Sequence, residues 1–118
     1  MTQSGDIVEQ LAECMYYRVE GPYIVVVNGC KEGLDLKAVE VKYSVRVLKS
    51  EHLSGEVEAK TIRREITERI TLGRRVAPGS SVEIYFGPVE DLDEVYAIIA
   101  VGDREYRIGL RRHSEKQD

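Results

Sequence analysis

Two runs of strand-forming residues flank Gly102-Asp103 in the stretch VYAIIAVGDREYRIGL, and they limit the fold more than any other feature of the chain. Gly followed by Asp suits the two-residue turn of a β-hairpin. Val95, Ala97, Ile99 and Val101 fall on one face of the first run, while Tyr96, Ile98 and Ala100 make the other face apolar too. Such a strand is expected to be covered on both sides. The second run is of the half-buried kind, with Tyr106, Ile108 and Leu110 pointing one way and Glu105, Arg107 and Arg111 the other.

The same period of two recurs upstream. Val39, Val41, Tyr43, Val45 and Val47 alternate with Glu40, Lys42, Ser44 and Arg46, and Val82, Ile84 and Phe86 alternate after the turn at 77–81. Tyr23 to Val27 reads as a strand ended by Asn28-Gly29, residue types that accept left-handed backbone angles. Residues 4–15 read as a short helix, with Ser4 as its cap, Asp6 at its positive end and Ile7, Val8, Leu11 and Met15 at helical spacing. Met15 to Val19, broken from Tyr23 by Gly21-Pro22, also fits the first arm of a strand, turn, strand unit.

A loop is expected around 51–55, and the segment after it is ambiguous. Ile62, Ile66 and Ile70 sit four apart, which fits a helix stripe and equally one row of a strand. The Thr and Ile content of 65–72 favours the strand. Arg64 and Glu68 then share the face of the isoleucines, and those charges need a sheet edge or a mutual partner. Together these elements predict one all-β domain over 1–118. It is an antiparallel β-sandwich of about six to seven strands spanning 23–110, with the helix at 4–15 before it and a frayed tail at 113–118.

Fifteen Val and nine Ile in 118 residues favour strands, and the absence of Trp leaves seven Tyr and Phe86 as the large rings. Charged residues reach 32 %, while Asn28 is the single Asn beside three Gln, a balance that points to a thermophile. No apolar run approaches the roughly 20 residues of a membrane span, and MTQSGDIVEQ lacks the basic and apolar regions of a signal peptide, so the cytoplasm is the expected location. There, Cys14 and Cys30 are free thiols in a mesophile, whereas a hyperthermophilic origin makes a disulfide realistic.

The succession YIVVVNG, LKAVEVKYSVRV and ITLGRRVAPGSSVEIYF, with a Pro-Gly-Ser turn before an alternating strand, resembles the immunoglobulin-like or fibronectin type III-like sandwiches common in archaeal proteins, over roughly residues 20–110. The resemblance implies a scaffold for adhesion, assembly or partner binding. No Cys…Trp…Cys core is present, which excludes the antibody-domain version.

Few residues suggest chemistry. A thiol nucleophile needs a base and a lowered pKa; Cys30 and His52 are the available pair, and His52 reads as a solvated loop residue while His113 lies in the tail. No CxxC, HExxH, calcium-loop or phosphate-loop spacing occurs, and no cofactor is expected. Glu90, Asp91, Asp93 and Glu94 could gather around a hard cation, but an acidic run on a loop is more often a solvated surface, and no metal site is expected.

Charge placement is the unusual feature. From Ala59 to Arg75, Lys60, Arg63, Arg64, Arg69, Arg74 and Arg75 outweigh two acids to give net +4. From Glu83 to Glu105, seven acids outweigh Arg104 to give net −6. Opposite poles steer a partner or join copies of one protein; the competing reading is a solvated surface of ion pairs. Arg63, Arg64, Arg69, Arg74, Arg75, Glu90, Asp91, Asp93 and Glu94 are therefore the candidate partner surface. The expected function is a non-enzymatic interaction or assembly module that binds a protein partner or itself as a homo-oligomer. The alternative is a small nucleic-acid-binding domain using residues 60–75, disfavoured by the net charge of −4 and by the lack of any aromatic between 44 and 84.

Overall fold

The computed structural model describes residues 4–53, 56–87 and 92–113. Along the chain run helix α1 (Ser4–Cys14) and strands β1 (Met15–Glu20), β2 (Tyr23–Asn28), β3 (Leu34–Leu53), β4 (Glu56–Val76), β5 (Ser81–Tyr85), β6 (Leu92–Val101), β7 (Arg104–Gly109) and β8 (Arg111–Arg112). They form two four-stranded sheets, in the orders β5-β2-β1-β8 and β4-β3-β6-β7, consistent with the expected all-β sandwich. All pairings are antiparallel except the two-residue contact of β8 with β1.

Described strands number eight, against the six to seven expected, and the sheets begin at Met15 rather than at residue 23. The reason lies in burial. Met15 and Tyr17 are 2 % and 5 % exposed, and a period of two can send both into the core while β1 pairs along its whole length with β2. The helix therefore stops at Cys14. The core joins Val39, Val41, Val95, Ala97 and Ile99 of one sheet to Ile24, Val26, Val82 and Ile84 of the other, as the alternation required. Helix α1 lays Val8, Leu11 and Ala12 against this core.

The β6–β7 hairpin closes as expected, with Val101 opposite Arg104 and Gly102 at φ 65°, an angle that glycine adopts without strain. Its two-sided cover holds in the middle of β6, where Ile98 is buried, and fails at the end, where Val101 is exposed. β8 and His113 extend the order beyond residue 110: the His113 amide donates to the Tyr17 carbonyl at 2.7 Å, and its ring centre lies 4.8 Å from that of Tyr16. Residue 113 is thus tied down rather than frayed, and 114–118 lie outside the described residues.

Cys14 and Cys30 form a disulfide, with their Cα atoms 4.9 Å apart, so the end of α1 is fastened to the segment after β2. The intervening Asn28-Gly29 pair has a role other than accepting left-handed angles. Gly29 is needed for close approach: its amide donates to the Cys14 carbonyl at 3.1 Å, and a Cβ would meet that oxygen at 2.6 Å. The Asn28 side chain is fully buried. Its Nδ2 donates to the carbonyls of Glu32 and Val76, at 2.9 and 3.0 Å, and its Oδ1 accepts from the Cys30 amide at 2.8 Å. One amide thus joins β2, the 29–33 connection and the end of β4.

Candidate interaction surface on the β3–β4 ribbon

β3 and β4 stay in register from Leu34–Val76 to Leu53–Glu56, past a bulge near Ala38. The segment that reads as helix or strand is therefore a strand along its length, and the loop expected at 51–55 is strand up to Leu53. On its other side β3 pairs with β6 only as far as Tyr43, which faces Leu92. From residue 44 outward the two strands continue as a ribbon with no third strand among the described residues. Ten residues at about 3.3 Å each give an arm of roughly 33 Å. The molecule accordingly measures 66 × 36 × 24 Å with a radius of gyration of 18.2 Å, whereas a compact chain of this length has about 13.5 Å.

At the root of the arm Tyr43 packs edge-on against Phe86, ring centres 5.1 Å apart, and its hydroxyl donates to Glu68. That bond, together with desolvation, holds the Tyr43 phenol above its ordinary pKa. Beyond it the core-side face of the ribbon continues with half-buried Val45 and Ile66 and with Ile62, which is 39 % exposed. Arg64 shares this face, opposite Val45.

The opposite face carries ion pairs. Glu40 receives both Arg69 (3.4 Å) and Arg107 (2.9 Å), and Arg107 also lies over the Tyr96 ring at 3.7 Å. The Tyr96 hydroxyl donates to Glu94 at 2.7 Å, and Lys42 lies 4.0 Å from both Glu94 and Glu65. Asp93, the extra residue at the β3–β6 register shift, accepts from Ser44 at 2.8 Å and pairs with Arg63 at 3.6 Å.

The two charged segments are therefore not separate poles. β4 and β6 both border β3, and their charges meet across it. Of the expected surface, Arg63, Arg69, Asp93 and Glu94 come together on the network, while Arg75 pairs separately with Asp35 at 2.9 Å. Arg64 and Arg74 have no acidic partner among the described residues, and Glu90 and Asp91 lie outside those residues. Arg46, opposite Arg63 on the ribbon, likewise has no acidic partner there. Cys30 is held in its disulfide, and His52 stands opposite Val57 in register near the tip of the arm. No group of three or more metal-ligating side chains gathers among the described residues. No described helix is long and apolar enough to cross a membrane.

The tyrosines provide a check on this geometry. Tyr96 is raised by its bond to Glu94, and Tyr17 mainly by burial. A phenol raised in the folded state stabilises it below the unfolded value near 10, and that contribution is lost as pH rises through the folded value. Absorbance at 295 nm should show a group of tyrosines ionising late. Glu94→Gln, which removes the carboxylate charge beside Tyr96, should return one of them towards the ordinary range; an unchanged titration would contradict the Tyr96–Glu94 contact.

The apolar stripe at Val45, Ile62 and Ile66 escaped the sequence reading as a surface, because the same alternation marks core strands. Its length was the signal: β3 and β4 run 20 and 21 residues, far beyond the usual five or six. Comparison with known proteins finds no matching family model, no similar curated protein and no similar solved structure.

Proposed function

We propose that this protein is a non-enzymatic interaction module that associates, with itself or with a protein partner, through the β3–β4 ribbon. The observation that carries this reading is the ribbon itself. A two-stranded hairpin is marginal in water unless another layer or strand supports it, and this one extends about ten residues past its last sheet neighbour among the described residues, with an exposed apolar residue on its core-side face. Such a structure gains stability when a partner covers it.

Val45 and Arg64 face each other in register, so an Asn-Gly turn can replace residues 46–63 while keeping the strand pairing of the root and the Ser44–Asp93 bond, with loss of the exposed Arg63–Asp93 ion pair. The shortened protein should keep the strand-rich circular dichroism and the melting temperature of the sandwich. It should also associate with itself or with a partner more weakly than the full chain, measured by light scattering and by titration calorimetry. Association equal to that of the parent would refute the reading.

Nucleic acid is the second reading, favoured by one observation: a two-stranded ribbon fits a major groove, and Arg46 and Arg64 on it lack acidic partners among the described residues. Against it, residues 44–65 hold five Lys and Arg but also four Glu. Anisotropy with duplex DNA and RNA decides. Submicromolar affinity at about 150 mM salt, falling steeply with salt and flattened by about two units when two arginines become Ala, would establish this second reading.

A further inference from the structure

We infer that the ribbon's partner is a second copy of this chain, joined by antiparallel pairing of the free edge of β4 with the same edge about a two-fold axis at Ile66. The inference rests on reading the chain as an assembly module and names the partner and the register.

Among the described residues β4 is the outer strand of its sheet, with β3 on one side only. It is an open row of backbone donors and acceptors, which is a template for another strand. Ile66 is the midpoint of its 21 residues, and the strand stays in regular register with β3 from Glu56 to Thr71, up to the bulge at Leu72-Gly73. In an antiparallel pair about that midpoint each residue meets the one equally far on the other side, and facing residues share a face of the sheet.

The pairs that result are complementary. Ile66 meets Ile66. Arg64, which has no acidic partner among the described residues of its own chain, meets Glu68 of the second copy, a carboxylate that also accepts from Tyr43, and this occurs twice. Ile62, 39 % exposed in the single chain, meets Ile70. Arg63 meets Arg69, a repulsive pairing in isolation, but Asp93 and Glu40 already neutralise these two within each copy. Moving the axis by one residue to Glu65 places Glu65 against itself, and moving it to Arg64 places Arg64 against itself.

The same register accounts for the arm. Residues 56–65 of one copy lie beside 67–76 of the other, so each two-stranded ribbon gains a third strand anchored in the neighbour's sandwich. Two four-stranded sheets become one of eight across the dimer. The interface is isologous and closes on itself, which limits assembly to two copies.

Charge exchange on the full chain tests the register. The wild-type protein should have twice the 13.4 kDa monomer mass in sedimentation velocity at micromolar concentration. Arg64→Glu or Glu68→Arg alone places like charges together at both symmetric positions and should weaken the dimer at least about thirtyfold. The double variant Arg64→Glu/Glu68→Arg should restore it. Circular dichroism confirms that each variant is folded. As a second measurement, Ile66→Cys should give a covalent dimer on mild oxidation, and Ile62→Cys, displaced from the axis, should not.

A dimer unmoved by either single exchange, or not restored by the double, would overturn β4 pairing while leaving self-assembly through the ribbon intact. A monomer up to millimolar concentration would overturn the second copy as partner. The shortened-ribbon experiment would then judge the wider reading alone.

Discussion

Replacing Asn28 with Ala should cost about 3 kcal/mol of folding free energy, since each stranded buried polar group costs about 1–3 kcal/mol. The buried amide is the shared partner of the Glu32 and Val76 carbonyls and the Cys30 amide, and alanine leaves all three without it. The loss is a large fraction of the 5–15 kcal/mol that holds a domain of this size. Asn28→Asp should be worse at neutral pH, because a carboxylate retains the acceptor for Cys30 but turns negative oxygen towards two carbonyls. Its deficit relative to the alanine variant should narrow at low pH, where a protonated carboxyl can donate. Urea unfolding with an unchanged m-value is the measurement. A cost below about 1 kcal/mol for Asn28→Ala would mean that water replaces the amide at no great penalty, against its central place in the fold.

Reduction of the disulfide should have an effect of similar size. Cys14 and Cys30 are 16 residues apart, and closing a loop of about that length stabilises a fold by about 3 kcal/mol in the chain-entropy account. The native protein should titrate no thiols, and the reduced, denatured protein two. Cys14→Ser/Cys30→Ser should unfold at lower urea, and amides of α1 should exchange first, because the helix then rests on Val8, Leu11 and Ala12, on the bond from the Gly29 amide to the carbonyl of residue 14 at 3.1 Å and on the bond from Arg111 to the Glu13 carbonyl at 2.8 Å. Two reactive thiols in the untreated native protein would contradict the bridge. Such a bond persists in an oxidising compartment or in the cytosol of a hyperthermophile. The thiol titration on protein taken directly from its source therefore also bears on where it works.

Several elements were legible from residue order alone. The rows at 39–43, 82–84 and 95–99, and the hairpin at Gly102, follow from local rules: a strand side chain alternates between two faces, and a positive φ calls for glycine. Burial then obeys residue type without reference to anything distant. Arg64 and Glu68 show the limit of this reasoning. Their place among the isoleucines signalled a sheet edge, and β4 is one, yet nothing local revealed that the strand continues past the sandwich.

Tertiary structure decided the rest, because each remaining question concerned a partner far away in sequence. Isoleucines four apart satisfy both helix and strand; the Thr and Ile content of 65–72 favoured the strand, and pairing with β3 decides it along the whole segment. The basic and acidic segments are each one-sided along the chain, but β3 lies between their strands and brings Arg63 to Asp93 and Arg69 to Glu40. Two cysteines 16 residues apart can be free or joined, and the turn of the chain at Asn28-Gly29 brings them together. Alternating apolar residues fill a core only where a second sheet lies above them. At Val41 one does; at Ile62 the same pattern runs on past the sandwich and becomes an exposed surface.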